Sequence, residues 1–510
     1  MMGTPRSLLL ITADCLRADH VGFMGYDHPT TPFLDSLAAE SWVFQNAIVT
    51  GSPTFYSFPG IMASRYALAL GRDVLGIAPD EPTLATVLSE SGYATAAFLA
   101  ANVYLSPRFG YDAGFSTFRD FLDVETADFT RTGNGRLSRV NRRIAELTRR
   151  LNPLKSLYEE LYFQYCQRFA VPGRLSFDAL RRFPAADVLV DQSRDWLANI
   201  AGRPFFLWLH LMDPHAPYYP AEEALGLLGY SHLDASRAHY LNSYWNRGQL
   251  DVKRYKPYLN EVTALYDASI RWLDAQVARL VDTLRRQCLW DNVVMVVCAD
   301  HGEEFLEHGG RYHSPSKLVE ELIHVPMLLR VPGRSKTESV KAQFSFLDLA
   351  PTLLAALDIP APANFRGRAR WKELQNGRSW HEPVITESIA GCQDPSYIEN
   401  RIGSRVLAIR EGRYKLVLDF GSHGESLFDL EIDSCERHPL PRDAERAVRR
   451  RLLDQARHHI EDSLQSRDPD ARLRARLRDL QLGNNFPLPL RHPSPARKTP
   501  TDTTYDQGNR

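Results

Sequence analysis

An α/β fold, with a mostly parallel sheet covered by helices on both faces and a smaller α+β unit behind it, is what these 510 residues predict. Three observations carry the prediction. Short apolar runs that stop abruptly in polar clusters recur at Leu8–Thr12, Pro204–His210 and Asn292–Ala299, as expected of strands buried on both faces. Segments of helical periodicity lie between them, which is the signature of a layered parallel sheet. Beyond about residue 375 the pattern changes to short alternating strands.

The first run, LLLIT, reads as a central strand ending at Asp14. Thr83–Gly92 reads as a helix, and residues 122–182 as a helical insertion. In that insertion Leu137, Val140, Ile144, Leu147, Leu151 and Leu154 step by three and four, and arginines outnumber acids on the other faces. A basic amphipathic helix over 137–154 could rest on an anionic membrane surface, cover an acidic substrate, or pack on the domain by its apolar stripe. PFFLWLH is the second strand and NVVMVVCA the third. Between them Leu259–Arg286 is a long helix, with Leu265, Ile270, Leu273, Val277, Leu280 and Leu284 on one face. The division expected is a catalytic unit over 1–375, a C-terminal unit over 376–465, and a disordered tail over 466–510 that has few large apolar residues. The C-terminal strands are expected at Arg405–Arg410, Tyr414–Asp419 and Ser426–Leu430, followed by a helix from Asp443 to about Leu464.

Composition narrows the function. At 44% hydrophobic and 24% charged the chain is ordinary for a globular protein, and 61 Lys plus Arg against 62 Asp plus Glu argue against a nucleic-acid binder. No apolar run approaches the roughly 20 residues that cross a bilayer, so no transmembrane segment is expected. The N-terminus lacks the apolar core of a signal peptide, and a cytoplasmic location is the expectation. Six scattered cysteines, with no CxxC, suggest neither a disulfide framework nor a zinc knuckle.

In open α/β sheets ligands bind beyond the carboxyl ends of the strands, and three polar clusters stand there. Asp14, followed by Arg17 and Asp19, ends the first strand; its carboxylate suits a hard or borderline cation. Asp300 and His301 end the third, with Gly302, Glu303, Glu304, His308 and His313 behind them. Two such clusters from distant parts of the chain point to one ion. Asp213, Pro214, His215 and Pro217 follow the second strand, and His215 is either a proton donor or a hydrogen-bonded loop residue. Arg17 either bridges Asp14 to a substrate or pairs with Asp19.

Together LLLITADCLRADHVGFMGYDHPTTPFLDSLAAES, ESGYATAAFLAANVYLSPRFGYDAGF, PFFLWLHLMDPHAPY, VVCADHGEEFLEHGG, VPMLLRVPG, FLDLAPTLLAALDIP, EGRYKLVLDF and SLFDLEID resemble the sulfatase family of the alkaline phosphatase superfamily. The resemblance spans most of residues 5–435. It implies an alkaline-phosphatase-like large sheet between helices, with a smaller C-terminal α+β subdomain. It also implies a nucleophile eleven residues before the Arg of an LTGR-like segment, which Ile61–Arg65 resembles, so the count lands on Thr54. The CxPSR or SxPSR motif that the family converts to formylglycine is absent, and Ser52 and Ser57 are alternative registers, Ser57 as an N-cap ahead of Pro59. Where many members carry paired aspartates, Asp14 and Cys15 stand. The family's lysine and histidine in its GKWHLG-like segment align with Asn102 and Tyr104, and His313 falls after the EHG segment where members have Lys or His.

By this resemblance Asp14, Thr54, Asp300 and His301 would hold one divalent metal ion, manganese or zinc favoured over calcium or magnesium by the mixed oxygen and nitrogen donors. Thr54 and His215 would be catalytic, and His313, Asn102 and Arg17 would bind substrate. The expected activity is metal-dependent hydrolysis of sulfate or phosphate and phosphonate esters through a covalent Thr intermediate. The alternatives are a phosphotransferase modifying a glycan or lipid and a noncatalytic binding protein of the same fold. The partner is then a small-molecule, glycan or lipid ester.

Overall fold

The computed structural model describes residues 6–72, 74–122, 160–161, 163–165, 167, 175–200, 202–248, 251–334 and 336–465. The basic helix read over 137–154 and the tail over 466–510 lie outside the described residues.

Three seven-residue strands form the centre of the large sheet: Ser7–Ala13, Phe205–Leu211 and Val293–Ala299, with every side chain buried. Burial on both faces is why each reads as an unbroken apolar run. In chain order the eight strands are β1 Ser7–Ala13, β2 Ser41–Phe44, β3 Ala94–Leu99, β4 Thr117–Arg119, β5 Phe205–Leu211, β6 Val293–Ala299, β7 Met327–Arg330 and β8 Glu338–Val340. Across the sheet they run β8-β2-β7-β6-β1-β5-β3-β4. Only β7 is antiparallel to its neighbours, so the sheet is mixed. The strands that the sequence hides have physical reasons for it. β2 (SWVF) and β7 (MLLR) are four residues long, too short for a period to show. β3 (ATAAFL) has three alanines, the best helix formers, and is a strand because the sheet interior buries it between β4 and β5.

The helices that matter for the site are α1 Thr54–Ala63, α2 Leu84–Glu90, α3 Ala186–Leu197 and α4 Leu259–Arg286. α4 has the bounds its apolar stripe predicts, and that stripe is buried along its whole length. Its Asp274 accepts from the amides of Phe33 and Leu34, and its Asp267 from His20 and Tyr26, so one long helix anchors the segment after β1.

A second, antiparallel sheet is built from β9 Val384–Ile389, β10 Arg405–Glu411, β11 Tyr414–Asp419 and β12 Gly424–Asp429, and helix α5, Arg446–Gln465, packs on it. This unit is locked to the large one. Lys415 on β11, fully buried, lies 3.0 Å from Glu320 and 2.8 Å from Glu436, and Arg410 adds a 2.6 Å contact to Glu320. Glu387 on β9 donates its amide to the Thr50 carbonyl at 2.9 Å, and the Thr386 hydroxyl donates to the Val49 carbonyl at 2.6 Å. The C-terminal sheet therefore holds the backbone immediately before α1.

Candidate active site

Parallel pairing fixes where the chemistry collects. Thr12 is level with His210 on one side and Cys298 on the other, and Ala13 with Leu211 and Ala299. The next residues, Asp14 and Asp300, thus leave adjacent strands together, and the Asp14 amide donates to the Leu211 carbonyl at 2.8 Å. Cys15 then takes a positive φ of 61°, turning the chain off the sheet. Tyr266 of α4 secures this turn, donating its hydroxyl to the Cys15 carbonyl at 2.7 Å and accepting from the Arg17 amide at 2.9 Å.

The Asp14 carboxylate is aimed by a relay. Trp208 Nε1 donates to Thr12 Oγ1 at 3.0 Å, which reaches His210 Nδ1 at 2.9 Å; His210 Nε2 lies 3.3 Å from Asp14 Oδ2. Asn102 Nδ2 donates to the same oxygen at 2.9 Å, leaving Oδ1 toward His301. At the end of β6 the His301 amide donates to Asp300 Oδ1 at 3.0 Å, while Asp300 Oδ2 is buried without a partner. His301 Nδ1 is 2.8 Å from the Gly302 carbonyl, which can only accept, so the proton sits on Nδ1 and the Nε2 lone pair faces the cluster. Gly302 is obligatory, since a Cβ there would meet the Glu321 carbonyl at 1.9 Å.

Thr54 completes the cluster. It is the first residue of α1, and its Oγ1 lies 3.2 Å from His301 Nε2. The helix starts here and not at Ser57, because the extended Pro53 ends the preceding loop and first-turn amides need no helical partner. Ser57 falls inside the helix with its hydroxyl buried and unpartnered; Ser52 is likewise buried.

Thr54 opens on a cleft of about 640 Å³, lined also by Asn102, His215 and His313. His215 and His313 stand 5.1 Å apart, ring to ring. His313 Nδ1 is 3.3 Å from Cys15 Sγ and 3.5 Å from Glu303, whose two carboxylate oxygens are buried with no hydrogen-bond partner. His215 Nδ1 donates to the Ala216 carbonyl at 2.6 Å.

A sulfatase family model matches residues 6–359, the whole of the large sheet. The chain belongs to the sulfatase family. A second family model, N-sulphoglucosamine sulphohydrolase C-terminal, covers residues 307–462. Among sulfatase relatives, the chain is 26% identical over 284 residues to arylsulfatase K of Bos taurus, covering 48% of this chain and 50% of that one. The chain thus spans about half the length of that relative. It is 23% identical to an arylsulfatase of Clostridium perfringens, covering 84% of this chain and 89% of the other. In fold it resembles the phosphonate monoester hydrolase of Agrobacterium radiobacter, with a TM-score of 0.61 at 19% identity over 90% of this chain and 96% of that one.

This sulfatase-family chain brings Asp14, Thr54, Asp300, His301, Asn102, His215 and His313 to one cleft or its floor. Arg17 is the exception. Its guanidinium is buried and engaged at 2.6 Å by both Asp19 and Glu307, and it donates to the Glu303 carbonyl at 3.0 Å, so it braces the site instead of lining it. Asp213 also turns away, accepting from the Ala186 amide at the start of α3; burial lifts its carboxyl to about 7. Three residues of the site carry no role in the sequence reading. His210 is hidden because it ends an apolar strand, Cys15 because it replaces an aspartate, and Glu303 because it stands among other acids. Glu304, beside it, has an ordinary task, pairing with Lys317 at 2.8 Å.

Charge distinguishes the two strand-end aspartates. Burial would raise Asp14, but the imidazoles of His215, His210 and His301 outweigh it and hold the carboxyl well below its usual range. Asp300 goes the other way, raised by burial and by the neighbouring charge of Asp14. Burial lowers His215 below the usual imidazole value. It would lower His313 too, but Glu303, with Asp14 and Asp300, reverses the sign and raises it.

These residues fit the divalent ion that the family implies. The ligand atoms of Asp14, Asp300 and His301 lie within 4.8 Å of one another, the unpartnered Asp300 oxygen lacks a donor, and the His301 lone pair is aimed at the same place.

Proposed function

We propose that this protein is a metal-dependent hydrolase of sulfate, phosphate or phosphonate esters that works through a covalent adduct on Thr54. The observation that carries this reading is the placement of the Thr54 hydroxyl, at the start of a helix and against His301, beside two buried carboxylates. Asp14, Asp300 and His301 would hold a divalent ion, manganese or zinc suiting the donors best, and when bound it lowers the pKa of the hydroxyl and offsets charge on the nonbridging oxygens.

Thr54 Oγ1, its proton released to solvent, bonds to the central atom of the ester as the bond to the leaving alcohol oxygen breaks in line. The departing oxygen takes a proton from His313. We move this role from His215 to His313, because the Glu303 carboxylate, 3.5 Å away, favours the imidazolium on His313 whereas burial disfavours it on His215. Water then adds to the central atom, gives its proton back to His313, and the bond to Thr54 breaks with return of a proton to Oγ1. A plain threonine cannot eject sulfate by the hemiacetal route open to formylglycine, which favours phosphorus esters over sulfate.

The test is a panel of 4-nitrophenyl sulfate, phosphate, phosphate diester and phosphonate with protein loaded with manganese, zinc, magnesium or calcium. Metal-dependent turnover and a trapped adduct on the peptide containing Thr54 are expected. Turnover of none of the esters with any of the four metals, or full activity in Thr54→Ala, would overturn the reading.

A further inference from the structure

The cleft is unusual in its charge. Its described lining includes no aspartate and no glutamate, yet it has two arginines, Arg182 and Arg311, and a histidine, His239, outside the ester site. Elsewhere arginines near this wall are matched by acids: Arg247 and Arg254 by Glu160, Arg237 by Glu261. Arg182 and Arg311 have no carboxylate partner among the described residues. The guanidinium of Arg311 lies 3.9 Å over the Tyr255 ring and donates through Nη2 to the Arg247 carbonyl at 3.0 Å, while Nη1 is buried without an acceptor. Arg182, exposed, acts on the Tyr219 and Tyr312 phenols, which places it on the same wall. The Nδ1 of His239 is also buried and unpartnered. Arginine stays charged at any ordinary pH and pairs best with oxyanions, so this wall presents fixed positive charge that no carboxylate among the described residues meets.

We propose that the wall is a second anion subsite, and that the alcohol portion of the ester carries its own oxyanion, which Arg182 and Arg311 bind while the scissile group sits at Thr54. The proposal rests on reading the cleft as an ester-hydrolase site. It assigns the substrate to acidic alcohols, such as carboxylated or multiply esterified sugars, over neutral ones. The tyrosines on the wall supply flat apolar surface for the body of such a molecule.

Calorimetry on the full, manganese-loaded chain separates the two ideas without needing turnover. Phenylphosphonate probes the ester site; 3-carboxyphenylphosphonate and 3-sulfophenylphosphonate add a second anion of each chemistry. The expected result is about tenfold tighter binding of at least one two-anion compound, which is about 1.4 kcal/mol. That gain should fall to near one in Arg182→Ala and Arg311→Gln and weaken at high salt. Equal affinities in the unmodified protein, or a gain that survives Arg182→Glu, would overturn the subsite. Arg182 is exposed, so its variants decide the matter if Arg311→Gln melts early. Failure of phenylphosphonate itself to bind would count against the ester site instead. In that case benzene-1,3-dicarboxylate decides: binding that is lost in Arg182→Ala supports the subsite, and no binding overturns it.

Discussion

Buried acids occur in two places in this molecule, and they are treated in opposite ways. At the joint between the sheets Glu320, Glu436 and Glu387 each lie against a permanent cation: Lys415 and Arg410 for Glu320, Lys415 for Glu436, and Arg405, beside the His459 ring, for Glu387. In the cleft Asp300 and Glu303 are as deeply buried, yet among the described residues no lysine or arginine reaches either carboxylate, and only the imidazoles of His301, at 3.7 Å, and His313, at 3.5 Å, lie against them. A buried carboxylate without a permanent cation beside it costs stability, so a fold keeps one where it is needed for something else. The joint is built to hold; the cleft is built to bind.

Four experiments break or sharpen that contrast. The largest effect belongs to Thr54→Ala, which should lower ester turnover by about 10⁴-fold or more while leaving metal content unchanged by elemental analysis. Mass spectrometry of the unmodified protein should find the peptide containing Thr54 at its plain threonine mass. Next, Lys415→Met strands Glu436, leaves Glu320 with Arg410 alone, and should cost about 3–5 kcal/mol in urea unfolding. A smaller effect of opposite sign is expected for Asp300→Asn. Asparagine keeps an oxygen for the His301 amide but removes the charge, and the metal-free protein should gain about 1–3 kcal/mol near neutral pH. Because the folded-state pKa of Asp300 is raised, the unmodified protein is relieved as pH falls through that value, so the gain should shrink in acid. A metal-free Asp300→Asn protein less stable than the original would break the comparison. The subtlest is Glu303→Gln. With its carboxylate gone, His313 loses its proton more readily, and the alkaline limb of the pH–rate profile should move to lower pH. An unmoved limb would return the proton-donor role to another group.

Much of this was legible in the sequence because the site is built from strand ends. β1 and β6 announce themselves by apolar runs that stop at Asp14 and Asp300, and parallel pairing of neighbours brings those stops together. α4 was legible to the residue because its stripe is amphipathic for 28 residues. What sequence reading missed is side-chain direction and partnership. Arg17 could either reach a substrate or pair with Asp19; the Asp19 pair is present, and Glu307, distant in sequence and so invisible to local reading, joins it. His210 looked like one more strand residue, and only the lateral neighbour Thr12 and the carboxylate of Asp14 show its task. The start of α1 was misread at Ser57 because a cap residue was sought where Pro53 does the work.

The bonds from Thr386 and Glu387 to the carbonyls of Val49 and Thr50 make the small sheet a partner in catalysis at one remove. Gly51 bridges to Glu387, the Glu387 side chain accepts from the Leu68 amide at 2.8 Å, and α1 runs between those two attachment points. Thr54, the proposed nucleophile, is thus slung between two contacts with a strand that the chain makes some 330 residues later. A ribosome that has finished the large sheet has not yet finished the enzyme: until β9 emerges, the stretch ahead of Thr54 lacks the two bonds that Thr386 and Glu387 make to it.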